Sequence, residues 1–230
     1  MLKVNNIFYS IQGEGIQSGM PTVFVRFAGC PFRCPYCDEP DALTEKNCQE
    51  YESKELGKVV IKLLEEHNCN NVEFTGGSPE AQNQDELYIL VKYLKRLNTY
   101  ISIQMSGGIL LKKRLWNIID SKKIDYKEPI CNIDYIIDNT HLTLKDEIKF
   151  VVDVDFENGN YNWFKEKVKI FENENVNIIV APKTTNKYPY DIINTKMLTE
   201  KILSDNDINK ENLHILPRLH QVYWPNVKGV

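Results

Sequence analysis

Thr22-Val-Phe-Val-Arg-Phe-Ala-Gly-Cys-Pro-Phe-Arg-Cys-Pro-Tyr-Cys-Asp38 joins a strand directly to a cysteine loop. The β-branched and aromatic run over 22–28 predicts the strand. Arg26 lies inside it, between Val25 and Phe27. A charge in a buried strand needs a partner, and a guanidinium can serve either a structural ion pair or a carboxylate held bidentately. Cys30, Cys34 and Cys37 follow as C-x3-C-x2-C. Thiolates are soft ligands suited to iron–sulfur clusters and zinc. Structural zinc takes four ligands, usually as paired C-x2-C elements. Here no fourth Cys or His stands nearby at such a spacing. Three thiolates can hold three irons of a 4Fe–4S cube and leave one iron open to a chelating ligand. Surface thiols or a zinc knuckle are the plainer alternatives.

Working outward, residues 5–19 carry Gly13, Gly15 and Gly19 around Gln12 and Glu14, a polar surface loop on its plain reading. Downstream, helical spacing predicts helices over 53–67, 84–97, 110–121, 161–173 and 191–204. Strands are expected at 72–75, 100–105, 134–137, 147–152 and 176–180, with a short one in the tail. Gly76-Gly77-Ser78-Pro79 and Ser106-Gly107-Gly108 close two of these strands. Such turns let a ligand approach the backbone, or simply turn the chain tightly. Alternating strands and helices predict parallel βαβ units and a full or partial barrel in a single domain over 1–230. In such barrels the strand C-terminal edge is the working face, so these turns and the cysteine loop should converge there.

The chain has 230 residues and a net charge of -4, which argues against nucleic-acid binding by charge. No run approaches the length of a membrane span, and Met1–Asn5 lacks a signal-peptide core, so a cytoplasmic protein with reduced thiols and no membrane partner is expected. Cys48, Cys69 and Cys131 show no ligand spacing and read as ordinary thiols.

The cysteine loop resembles the signature of the radical S-adenosylmethionine enzymes. Over nearly its whole length the chain resembles one family of them, the 7-carboxy-7-deazaguanine synthases. The matching pieces are Ser10-Ile-Gln-Gly-Glu-Gly15, the Val-Arg-Phe-Ala-Gly run into Cys30, Cys-Pro-Tyr-Cys-Asp38, Phe74-Thr-Gly-Gly77, Asp146-Glu-Ile-Lys-Phe-Val151 and the tail from Arg218 to Val230. Activases of anaerobic ribonucleotide reductase share the loop in a shorter chain.

The resemblance implies an α/β fold, a truncated (β/α)6-type partial barrel with a C-terminal extension. It implies a lyase reaction in which a 5′-deoxyadenosyl radical takes hydrogen from C6 of 6-carboxy-5,6,7,8-tetrahydropterin. The ring contracts and ammonia leaves, giving 7-carboxy-7-deazaguanine for queuosine and related deazapurines. By position, Cys30, Cys34 and Cys37 would hold the cluster. Tyr36, Gly76, Gly77, Ser78 and Ser106 would lie along S-adenosylmethionine. Ile11, Gln12, Gly13, Glu14, Arg26, Thr75, His220, Trp224 and Asn226 would line the pterin site, with Arg26 and Glu14 the catalytic candidates. A reductant such as flavodoxin and a homodimer are also implied.

Two positions depart from the family pattern. Glu39 stands where Thr usually helps bind Mg2+, so it is the candidate ligand for that ion or a substitute for its charge. Ser78 stands where Glu is usual, so another group must serve the cofactor's amino group. Two alternatives follow: a divergent radical enzyme acting on another heterocycle, or a non-catalytic metal- or partner-binding relative.

Overall fold

The computed structural model describes residues 1–34, 37, 39–46, 48–127, 129–185, 191–224 and 227. The elements run β1 (Leu2–Ile11), β2 (Pro21–Phe27), β3 (Gln49–Tyr51), α1 (Ser53–Glu66), β4 (Asn71–Gly76), α2 (Gln84–Leu94), β5 (Tyr100–Met105), α3 (Lys113–Trp116), β6 (Ser121–Asp125) and α4 (Ile133–Asn139). They continue as β7 (Glu147–Val152), α5 (Tyr161–Val168), β8 (Asn177–Pro182), α6 (Asp191–Ser204), β9 (Leu213–Ile215) and α7 (Leu219–Tyr223). One sheet holds all nine strands in the order β3-β1-β2-β4-β5-β6-β7-β8-β9. β1 runs antiparallel to β2 and β3, and every other pair is parallel. The sheet stays open, with β3 and β9 as its edges. It is the expected partial barrel. Among the described residues no helix is long and apolar enough to cross a membrane.

The two faces of the sheet differ because strand side chains alternate. Val23, Val25, Phe27, Val72, Phe74, Ile101, Ile103, Ile148 and Phe150 join the apolar core, with Leu56, Val60, Leu87 and Leu90 from the helices. The alternate positions are polar. In register Glu73 stands beside Ser102, Lys123 between Gln104 and Glu147, and Asp125 beside Lys149. Glu73, Ser102, Lys123, Glu147 and Lys149 are buried and Thr75, Gln104 and Asp125 partly so, so their charges must be matched within the protein.

Three sequence expectations are corrected here. Residues 5–11 are not loop but the greater part of β1, paired with β2 through Ile11↔Pro21. The helix expected over 110–121 shrinks to the single turn of α3, and β6 follows it. Lys122 and Lys123 hid that strand, because paired lysines look solvated in sequence. In the fold Lys122 Nζ meets Asp146 Oδ1 at 3.0 Å and Lys123 Nζ meets Glu73 Oε2 at 3.0 Å. The expected strand 134–137 is helix α4, with Ile133 and Ile136 both buried one turn apart. A run of four apolar residues does not separate the two periods.

Asp146 also fixes the entry to β6. Besides the Lys122 ammonium it accepts from Lys122 N at 2.8 Å and Thr143 N at 2.9 Å while fully buried. Asp146→Ala should therefore cost roughly 3–5 kcal/mol, as breaking a buried pair does. Urea denaturation measures this, and a loss below about 1 kcal/mol would contradict the assignment.

Candidate active site

The seven parallel strands end on one edge, and the residues singled out in the sequence gather there or on the polar face beneath it. β2 delivers Arg26, whose register partner on β4 is Thr75. Its guanidinium lies 5.0 Å from the Phe8 ring and pairs with Glu39 Oε2 at 3.0 Å. Glu39 thus reaches Arg26 from the far side of the cysteine loop.

That loop is the direct continuation of β2. Gly29 N and Cys30 N donate to the carbonyls of Ala42 and Leu43 at 2.8 and 3.3 Å, and Cys37 N donates to Cys34 O at 3.2 Å. All three cysteines are half-buried and none is in a disulfide. Burial, with the nearby charges of Glu80, Cys34 and Cys37, pushes the Cys30 thiol up despite the Phe32 backbone bond. Three mutually sensed thiols on one loop fit a 4Fe–4S cluster with one open iron. Among the described residues, no three His, Cys, Asp or Glu side chains already stand at metal-holding geometry. Gly77 has a packing role. A Cβ there would lie 2.4 Å from Gly29 O and 2.5 Å from Ala42 O, so the glycine lets these backbones approach.

The Gln-Gly-Glu-Gly box crosses the polar face. Gln12 Nε2 donates to Glu73 Oε2 at 3.0 Å, where Lys123 and Ser102 also converge. Glu14 Oε2 meets Lys149 Nζ at 2.5 Å and accepts from Gln104 Nε2 at 3.2 Å. Lys149 reaches Asp125 at 3.1 Å, and Lys127 meets the same carboxylate at 2.9 Å. Burial would raise the Glu14 carboxyl, but Lys149 and His220 outweigh it and hold the group at about 2. Asp125 is likewise lowered: burial opposes ionisation, and Lys127 and Lys149 overcome it. At Gly15, φ is +73° and a Cβ would strike the Glu147 carboxylate at 1.9 Å, so only glycine fits.

The tail closes over this box. Leu219 N donates to Gly13 O at 2.8 Å, and His220 on α7 packs against Gly13. Trp224 caps α7 and is more exposed than His220. Ile11 ends β1 and hands the chain to the box. Gly76 closes β4, and Ser78 is buried in the turn beyond it. Ser106 follows β5 and donates through N and Oγ to Glu80 Oε1 at 2.8 and 2.6 Å. Tyr36 and Asn226 lie outside the described residues. The structure thus brings Gln12, Gly13, Glu14 and His220 together, and separately Arg26, Thr75 and Glu39.

Sequence reasoning missed Lys149, Asp125, Lys127, Gln104 and Glu80. The signal for Lys149 was present, since a lysine inside the apolar run Glu147–Val152 needs a buried anion.

Residues 11–177 match the family model described as a 4Fe-4S single cluster domain. The chain is similar to the 7-carboxy-7-deazaguanine synthase of Clostridium acetobutylicum, at 31% identity covering 99% of each chain. Its fold resembles the crystal structure of QueE from Escherichia coli, with a TM-score of 0.62, 17% identity and coverage of 87% of this chain and 91% of that one. It also resembles Streptococcus suis SuiB bound to S-adenosylmethionine, with a TM-score of 0.55, 14% identity and coverage of 76% and 44%.

Glu147 is the one carboxylate of the polar face held high, at about 7. Burial dominates, opposed by the Lys123 charge and reinforced by that of Glu73, while Ile16 N donates to Oε1 at 3.2 Å. The fold thus favours the protonated acid. Its contribution is full below the ordinary 4.5, declines as pH rises, and is gone above about 7. Glu147→Gln should remove this slope. Between pH 5 and 8 the wild type should lose roughly 2–3 kcal/mol relative to the variant in anaerobic urea titrations. Parallel curves would refute it.

Proposed function

This chain belongs to the family of 7-carboxy-7-deazaguanine synthases, and we propose that it is a radical S-adenosylmethionine lyase converting 6-carboxy-5,6,7,8-tetrahydropterin to 7-carboxy-7-deazaguanine with loss of ammonia. The observation that carries this reading is the three-thiol loop set at the end of β2, on the same strand-end edge as Arg26 and Thr75. A 4Fe–4S cluster held by Cys30, Cys34 and Cys37 supplies, when reduced, the electron that cleaves S-adenosylmethionine and starts the radical chemistry. Iron–sulfur chemistry at low potential calls for a one-electron donor of the flavodoxin type.

The protein's own groups position and shield. Glu14 stays ionised at working pH, so it accepts hydrogen bonds from pterin N–H groups and does not act as an acid. Gln12, Gly13 and Thr75 present polar atoms and open backbone beside it, with Ile11 as an apolar wall. Residues 12–19 and α7 cover the polar face and exclude water, and His220 adds positive charge near Glu14. Arg26 receives the substrate carboxylate, which must take over the guanidinium from Glu39. Mg2+ enters this reading only as a competitor of Arg26 for the Glu39 carboxylate.

The Arg26–Glu39 pair also favours a second reading, a radical enzyme acting on another heterocycle, because it occupies the cation a carboxylated pterin needs. Anaerobic reconstitution separates the two. The first predicts about four irons per chain and 7-carboxy-7-deazaguanine in step with 5′-deoxyadenosine. 5′-Deoxyadenosine without that product would establish the second. Glu39→Gln should release Arg26 and lower the KM for the carboxypterin several-fold, with little response to omitted Mg2+. An unchanged KM would show that Glu39 does not compete for Arg26.

A further inference from the structure

Most carboxylates inside this protein are answered by a cation in contact; Glu147, which burial holds high, is an exception. Glu14, Glu73, Asp125, Asp146 and Asp191 each have a Lys or Arg nitrogen within 3.0 Å. Glu80 does not. It is 1% exposed, in the turn just beyond β4. Oε1 takes both bonds from Ser106, but Oε2 has no hydrogen-bond partner. Ser78 Oγ, in the same turn and 2% exposed, is also without one. It and the Glu80 N–H lean on the carboxylate without completing a bond to Oε2. Among the described residues no cation pairs with this acid. Burial pushes such a carboxyl up, toward the protonated acid, unless a ligand supplies donors that hold it ionised.

The position says which ligand. Glu80 stands between the ends of β4 and β5, bonded to Ser106 after β5, and Gly77 of the same turn packs on the backbone of Gly29, next to Cys30. It is therefore an acceptor next to the place where the loop would hold its cluster and cofactor. The only strongly N–H-donating group of S-adenosylmethionine beside its adenine is the α-amino group.

Resting on the radical enzyme reading above, we propose that Glu80 is the cofactor's amino-group acceptor. Oε2 takes the N–H, Ser106 fixes Oε1 so that the second oxygen points at the ligand, and Ser78 Oγ adds an acceptor. The two glycines before it pack the backbone; the acid three residues beyond them recognises the ligand.

The test is binding, not turnover. Anaerobic, cluster-loaded wild type and Glu80→Gln are compared by equilibrium dialysis against S-adenosylmethionine and its analogue lacking the amino group. Iron content and circular dichroism are matched first. The wild type should prefer S-adenosylmethionine. Glu80→Gln should weaken it about 10- to 100-fold, as loss of one charge-assisted bond does, and shift the analogue by less than about threefold. Equal weakening of both ligands, or none, would make Glu80 a mere brace for Ser106 and overturn the proposal. If the variant does not fold, Ser106→Ala decides: the preference for the amino group should fall several-fold, and retention at the wild-type level overturns the proposal. A cluster-loaded wild type that binds neither ligand would remove the radical enzyme reading itself, and the proposal with it.

Discussion

Lys149 is the cation on which the polar face of the sheet depends. Its ammonium sits between Glu14 on the crossing loop and Asp125 on the neighbouring strand, at 2.5 and 3.1 Å. Without it Glu14 would lose its lysine and Asp125 one of its two, a loss of roughly 3–5 kcal/mol against a typical folding margin of about 5–15 kcal/mol. With it, the loop, β6 and β7 are tied at one point. Lys127 completes the neutralisation of Asp125, and Lys123 neutralises Glu73. The result is a face whose charges are matched and fixed before any ligand arrives. Dipoles held in that way stabilise developing charge without reorganising.

The opposite face has simpler work. Val, Ile and Phe side chains pack against α1 and α2 and need no partners. The alternation of one strand therefore serves both sides at once: Phe74 anchors the core while Glu73 and Thr75 stand on the polar face. At the strand ends the chain leaves the ladder, and there the cysteine loop, the Gly-Gly turn and the Ser106 turn meet. Gly77 lets two of these backbones touch, and Glu80 spans to the third. The edge is thus assembled by packing, and what is left unsatisfied on it marks where ligands belong.

Much of this was legible in the sequence. The strand into Cys30, the helices over 53–66 and 191–204 and the strands of β5 and β7 follow from period and composition alone. The thiols and Arg26 stand out as residue types that need chemistry or partners. What was hidden depended on contacts distant in sequence. β6 reads as solvated because its lysines are answered by Glu73 and Asp146, about fifty and twenty-four residues away. α4 was ambiguous because four apolar residues carry no period. Glu80 gave no signal, since a lone acid after Ser-Pro looks like any surface turn until its burial is seen. Glu39 was noticed as a departure, but its attachment to Arg26 is a fact of the fold.

The central claim is that three thiolates leave one iron of a cluster free for the cofactor. Electron paramagnetic resonance of the reduced, anaerobically purified protein tests it most directly. A reduced 4Fe–4S signal should shift its g values when S-adenosylmethionine is added, because the ligand binds the open iron. A silent protein containing zinc, or a cluster signal indifferent to the cofactor, would contradict the account.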